Sequence, residues 1–431
     1  MRRMAAEEAI VKIQVLGLNY DPEKIGIAVY SSSLAEDLTS RGHSVTAVCA
    51  HPYYPQWKLG DGWPKYGYRT LTSAAGVKVI HCPLFVPQVP TAKSRMLHYA
   101  SFALTALPRL LGDAMRKRPD VVFVVAPSLV SAISGWITAR LAGAKLWLHV
   151  QDFEVEAAFA TGAINPESRL GRMALGFERW MLGRFDMISS ISGPMLDKLV
   201  EKDVPAEKIY ELRNWANLSR VTVVEGVSSM REELGITTKY VAYYSGNVAG
   251  KQGLEIIPAA AHLLKDRDDL TFVICGEGPF LETLKAAAEG LDNIRFLPLQ
   301  PLEKLSDALG MADVHLLPQI AGMAELVLPS KLTNMLASGR PVVATAAPDT
   351  ALAKEIQGSG VVTPPGDAPA FAAAIEALLN DPEQRAAYGK QARVSANENW
   401  DMNSIISKLE TQMCQLALKG RTSDQSTEVK R

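Results

Sequence analysis

Apolar positions along this chain fall into two alternating kinds of run. Short, β-branched blocks alternate with longer stretches in which apolar residues recur every three or four positions. The first pattern predicts strands buried on both faces, the second helices with one buried face. In the first half the strand-like runs are KIQVLGL (Lys12 to Leu18), SVTAVC (Ser44 to Cys49), Val77 to His81, VVFVV from Val121, KLWLHV (Lys145 to Val150) and Asp186 to Ser190. Helical spacing covers Ala28 to Arg41, stopped by Gly42, then Leu170 to Arg184 and Pro194 to Lys202. A second series of strands is predicted at Lys239 to Ser245, Leu270 to Cys275, Asn293 to Leu297, Ala312 to Pro318, Pro341 to Thr345 and Gly360 to Thr363, with helices between them. Strands alternating with helices throughout predict parallel, doubly wound α/β sheets.

A chain of 431 residues is long enough for two such Rossmann-like domains. The crossing between them is expected in IYELRNWANLS (Ile209 to Ser219), which is polar and aromatic rather than helical. This places a first domain at 1–212 and a second at 213–400. A last helix, within 401–418, is expected to return to the first domain, and the polar residues 419–431 to be disordered.

Two runs carry a second reading. Val121 to Ala139 has no charge and is about long enough to span a bilayer. Its β-branched start and its break at Ala126-Pro127-Ser128 predict instead a buried strand, a loop and a helix. Ser94 to Arg118 mixes apolar positions with Arg95, Arg109, Arg116, Lys117 and Arg118, opposed only by Asp113. It reads as a helix that Pro108 should kink or divide. That helix either covers the sheet or touches an anionic membrane face.

Composition narrows the function classes. Forty-eight per cent of residues are apolar, ample for two cores, and a net charge of −1 gives no electrostatic case for nucleic acid. The four cysteines form no CxxC pair, which predicts neither a zinc site nor a disulfide framework. Glu7, Glu8 and Lys12 interrupt any signal-peptide core, so a reducing cytoplasmic location is expected.

Candidate chemistry sits at strand ends. Ser245 to Gly253 (SGNVAGKQG) follows the first strand of the second domain. Its glycines let backbone approach a ligand, and Lys251 adds a cation, a combination suited to a diphosphate. It lacks the GK[ST] ending of a Walker loop. Gly276-Glu277-Gly278-Pro279 follows the next strand and reads either as a turn or as a platform for a base or ribose. Asp266-Arg267-Asp268 is a solvated turn and no metal is expected. His149, Asp152 and Glu154 cluster at the end of a buried strand, where an imidazole or carboxylate could serve a sugar hydroxyl. Leu328-Pro329-Ser330-Lys331 opens a helix that Ser338-Gly339 closes. Alone, that stretch is an ordinary crossover or an anion-holding helix N-terminus.

With these pieces placed, the chain resembles the retaining glycosyltransferases of family 4, and within them the branch that builds colanic acid and related exopolysaccharides. The marks are NYDPEKIGIAVY, AHPYYPQW, LHVQDFEVEA, YSGNVAGKQGLE, CGEGP, HLLPQ and LPSKLTNMLASGRPVV, and they cover almost the whole chain. The resemblance implies the GT-B fold, two Rossmann-like domains facing across a cleft. It implies metal-independent, cofactor-free transfer of a sugar from a nucleotide diphosphosugar with front-face retention. The implied acceptor is an undecaprenyl-diphosphate-linked saccharide at the inner face of the cytoplasmic membrane. It further implies that Gly246, Asn247 and Lys251 hold the diphosphate and that Gly276, Glu277 and Gly278 flank the base. Glu325, Leu328 and Pro329 would lie at the sugar, Ser330 and Lys331 at the phosphates and Asn334 at the ribose. Gly26 would approach from the first domain, His149 would face the sugar and Asp152 the acceptor. Many relatives carry Arg where Asn247 stands and Glu where Asn334 stands, which leaves the nucleotide open. A nucleotide-sugar epimerase of the same fold and a non-catalytic sugar-nucleotide-binding subunit are the alternatives.

Overall fold

The uninterrupted apolar runs become strands with no wet face, because helices cover both sides of each sheet. The structure is a computed structural model. It describes residues 10–23, 26–160, 164–215, 218, 221–320, 328 and 330–428. The chain divides into two units, one comprising 1–212 with 406–431, the other 213–405.

The first unit runs β1 (Lys12–Gly17), α1 (Ile27–Ser40), β2 (Ser44–Ala50), β3 (Arg69–Thr72), β4 (Lys78–Cys82), α2 (Ala92–Lys117), β5 (Val121–Ala126), α3 (Leu129–Ala142), β6 (Lys145–Val150), α4 (Glu154–Ala160), α5 (Arg169–Leu182), β7 (Met187–Ser190), α6 (Gly193–Glu201) and β8 (Ile209–Glu211). Its sheet order is β3-β4-β2-β1-β5-β6-β7-β8. Every pairing is parallel except β3 with β4. All six residues of β5 are buried, so the uncharged run from Val121 is a core strand followed by α3. Among the described residues no helix is long and apolar enough to cross a membrane. Two short strands lacked a periodic signal. β3 is exposed at every position, and β8 is only three residues long.

The second unit contains α7 (Ser229–Glu233), β9 (Tyr240–Ser245), α8 (Ile256–Leu263), β10 (Leu270–Cys275), α9 (Leu281–Ala287), β11 (Ile294–Leu297), α10 (Leu305–Gly310), β12 (Val314–Leu317), α11 (Ser330–Ala337), β13 (Val342–Thr345), α12 (Ala351–Ile356), β14 (Gly360–Thr363), α13 (Ala368–Asn380), α14 (Pro382–Asn399) and the start of α15 (Met402–Glu428), whose residues from 406 onward belong to the first unit. The wholly parallel sheet has the order β11-β10-β9-β12-β13-β14. All six predicted strands are present.

Two expectations need correction. The 26-residue α2 continues through Pro108 as one helix. A proline removes one i→i−4 hydrogen bond, and here Phe102, Ala106, Leu110 and Ala114 are buried on either side of it, so packing offsets the loss. The last helix also extends to Glu428, so residues 419–428 are helical rather than disordered; 429–431 lie outside the described residues. No proline follows Met402, and extending an existing helix costs less than starting one. Within the first unit, Arg41 Nη1 donates to Ser407 Oγ at 2.7 Å and His43 Nε2 lies 3.0 Å from Glu410 Oε1, holding α15 against the end of α1.

Candidate functional site

In the second unit the strand order reverses between β9 and β12. Loops at the C-terminal ends of strands on either side of such a reversal form the usual ligand crevice of an open α/β sheet. Three elements meet there: the 246–253 loop after β9, the 276–280 loop after β10, and α11, which follows β12.

The two loops are joined backbone to backbone. Gly246 N donates to Cys275 O at 2.9 Å, Val248 N to Glu277 O at 2.8 Å, and Phe280 N to Val248 O at 3.2 Å. A Cβ on Gly276 would stand 2.0 Å from Gly246 O, and one on Gly278 2.1 Å from Val248 O. Their missing side chains are thus accounted for by loop-to-loop packing, and the sides of these glycines that lack a Cβ are not open to a base. Asn247 and Glu277 are exposed at the rim.

Lys331, in the first turn of α11, lies beneath the 246–253 loop. A Cβ on Gly246 would meet its Cε at 2.4 Å, and Gly246 holds φ 143°, so this position favours glycine for two reasons. Lys331 Nζ donates to the Tyr244 hydroxyl, donates to Gln252 Oε1 at 3.2 Å, and sits 4.5 Å from the Tyr244 ring centroid. The Tyr244 hydroxyl is 2.7 Å from Asn247 O and 2.8 Å from Gln252 Oε1, so it braces both ends of the loop. Among the described residues no carboxylate pairs with Lys331. Burial alone lowers its pKa to about 8. A half-buried ammonium held by neutral groups lacks an anion.

Around this core, Ser330 is the first residue of α11, Asn334 is half-exposed one turn on, and Leu328 packs on the core. Lys251 lies in a single 3-10 turn, Gly250–Gln252. Glu325 and Pro329 lie outside the described residues. Gly339, at φ 70°, ends the helix as expected, and Ser338 Oγ is 2.9 Å from the buried His315 Nε2. Tyr244 and Gln252 were missed by sequence reasoning. Gln252 stood within a recognised loop, but nothing in a strand reading YVAYYS marks which tyrosine meets a lysine 87 positions later.

The first unit holds the other candidates. Gly26 caps α1 at φ 62° with open space where a Cβ would be, so the backbone angle, not crowding, calls for glycine. His149 does not face outward. It is buried, with Nδ1 3.0 Å from Ser189 Oγ and Nε2 2.9 Å from the Gln151 amide, and burial pushes its pKa down to about 3. Such an imidazole stays neutral and orients Gln151 at the strand end. Asp152 is solvent-accessible. Its pKa is raised, by its partly buried setting first and by Glu156 second, against a backbone N–H from Phe153. Glu154 is structural: its carboxylate accepts from Leu129 N at 3.0 Å at the start of α3. Arg267 of the Asp266-Arg267-Asp268 turn pairs with Asp269, and no group of three or more His, Cys, Asp or Glu among the described residues could hold a metal ion.

The comparisons agree with this architecture. Residues 26–215 match the family described as a glycosyl transferase 4-like domain, and residues 227–395 the glycosyl transferases group 1. A putative colanic acid biosynthesis glycosyl transferase, WcaI, of Escherichia coli K12 is 36% identical over 92% of this chain and 98% of its own. A GDP-mannose-dependent phosphatidylinositol monomannoside mannosyltransferase of Mycolicibacterium smegmatis is 26% identical over 91% and 95%. Among solved structures, sucrose-phosphate synthase of Thermosynechococcus elongatus superposes with TM-score 0.69 at 17% identity, covering 94% of this chain and 99% of that one. HepE of Anabaena, in complex with UDP, superposes with TM-score 0.65 at 15% identity, over 94% and 100%. These structures share the two-domain GT-B fold.

Proposed function

Because the chain belongs to family 4 of the glycosyltransferases, we propose that it moves a sugar from a nucleotide diphosphosugar to a lipid-linked saccharide during exopolysaccharide assembly. The observation that carries this reading is Lys331, an ammonium enclosed between a glycine loop and a helix start with no carboxylate partner among the described residues. A diphosphate supplies the missing anion: Lys331 neutralises it, the start of α11 donates backbone N–H groups, and Asn334 bonds a ribose hydroxyl. WcaI's name supports the exopolysaccharide setting, and HepE's UDP complex supports a nucleotide-bearing donor.

Retention proceeds by front-face attack. The bond from the anomeric carbon to the diphosphate oxygen breaks as the acceptor oxygen bonds the same face, and the departing diphosphate takes the acceptor proton. The protein positions both partners and stabilises charge on the leaving group. Asp152 orients the acceptor hydroxyl. The acceptor's undecaprenyl diphosphate places the enzyme at the inner membrane face, which the basic helix α2 contacts.

The test is a thermal-shift panel of UDP-, GDP- and dTDP-sugars on wild type and Lys331→Ala. One nucleotide raises the wild-type melting temperature, and the variant loses the shift. Equal shifts in both would remove Lys331 from the site. Product formed from donor alone, without acceptor, would replace transfer by epimerisation.

A further inference from the structure

We infer that Lys202 is a positioning residue for the acceptor carboxylate: its enclosed ammonium ties α4 to α5 and backs onto Phe153, and so holds the short segment that carries Asp152. Lys202 follows the last residue of α6, and its side chain is 9% exposed. Its Nζ donates to Glu178 of α5 at 2.6 Å and to Glu156 of α4. It also lies 5.4 Å from the centroid of the Phe153 ring. Phe153 is buried and directly follows Asp152, and Asp152, Phe153, Glu154 and Glu178 line one small cavity. A single ammonium thus reaches both helices and the segment between β6 and α4.

Charge gives this lysine a task beyond packing. Asp152, Glu154, Glu156 and Glu178 gather here, and among the described residues the ion pairs they make are both with Lys202. The other neighbours do not answer Glu156. Glu154 is engaged by Leu129 N at 3.0 Å, and His149 of β6 is neutral. On the α2 side, Tyr99 feels the charges of Glu154 and Asp152, with Arg95 beside it. Arg179 of α5 pairs in solvent with Asp203 at 3.8 Å. Burial works against the Lys202 ammonium, but Glu156 and Glu178 overcome it and its pKa is raised, so the cation persists at neutral pH. After burial itself, Glu156 is the charge that raises the Asp152 pKa. Lys202 compensates that charge at its source. Without Lys202, Glu156 stands unpaired, the ionised form of Asp152 is disfavoured further, and the Phe153 ring loses the cation beside it.

This inference rests on the acceptor role proposed for Asp152, and the experiment separates the two. The Asp152 carboxyl titration is followed by 13C NMR in the full chain, its aspartates labelled and its resonance assigned with Asp152→Asn. In Lys202→Met the Asp152 midpoint should rise by about half a unit to one unit, and the acid limb of kcat should move with it. Lys202→Arg should keep both at wild-type values. Glu156→Gln should lower the midpoint, and Lys202→Met/Glu156→Gln should follow Glu156→Gln. Lys202→Met strands the buried Glu178, so Lys202→Met/Glu178→Gln, which preserves net charge, serves as the stable counterpart and should show the same rise. A wild-type midpoint in both Lys202→Met and that counterpart overturns the inference, whatever their melting temperatures. So does a raised midpoint that survives in Lys202→Met/Glu156→Gln, because the shift would then not pass through Glu156. Turnover decides the acceptor role on its own: wild-type kcat in Asp152→Asn sinks that role with the NMR coupling intact, whereas wild-type midpoints in the Lys202 variants sink the inference with the Asp152→Asn loss intact.

Discussion

Lys331 shows how one side chain's surroundings define its task. Desolvation lowers its pKa to about 8, so the ammonium is lost as pH rises through that value. Nucleoside-diphosphate affinity should therefore weaken as pH rises from about 7 to 9, and titration calorimetry with Lys331→Arg should give a flatter profile, since guanidinium does not titrate there. Lys331→Met should cost about 1.5–3 kcal/mol of donor binding. Stability has the opposite sign. The folded pKa lies below the unfolded one, so between about 8 and the ordinary lysine range the unfolded chain holds more protons and the ligand-free fold gains stability with rising pH. Urea melts across that window should show this gain, and Lys331→Met should not. On the acceptor side, Asp152→Asn should lower kcat while leaving the nucleotide-induced thermal shift unchanged. The raised Asp152 pKa means that its share of the activity is lost as pH falls through a value above the usual aspartate range. His149, neutral from about pH 3 upward, contributes no limb near neutrality.

At the scale of elements, two glycines of one site predict different failures. At Gly276 an added methyl meets a backbone carbonyl, and neither loop can yield without breaking the hydrogen bonds that join them. Gly276→Ala should lower the melting temperature by several degrees and weaken donor binding together. At Gly246 the methyl meets the far end of a lysine, which can move. Gly246→Ala should lose melting temperature to the strain at φ 143° and in addition displace Lys331, so that donor binding weakens beyond what Gly276→Ala loses; a thermal-shift titration of each variant separates the two outcomes. The loop glycines were conspicuous in the sequence, but their reason was not: whether a missing Cβ admits a ligand, a lysine stem or a second loop depends on what lies opposite.

Across the whole molecule, α15 begins in the second unit and continues into the first. Its buried face, Ile406, Leu409, Met413 and Ala417, follows a helical repeat and belongs with residues hundreds of positions earlier. Leu409→Ala should cost about 2–5 kcal/mol, read from urea unfolding, as a core truncation does anywhere.

The alternation of apolar runs by itself determined two α/β sheets of parallel strands, every strand but β3 and β8, and the bounds of a few helices, because period and burial are local consequences of residue order. It also placed glycine loops and a lysine-bearing helix start at strand ends. Tertiary structure alone decided which of these meet. Lys331 finds Tyr244 and Gln252 only once β9 and β12 lie side by side, and His149 is consumed by Ser189 only once β6 pairs with β7. Strand neighbours are chosen by long-range packing, and no window of sequence contains both partners.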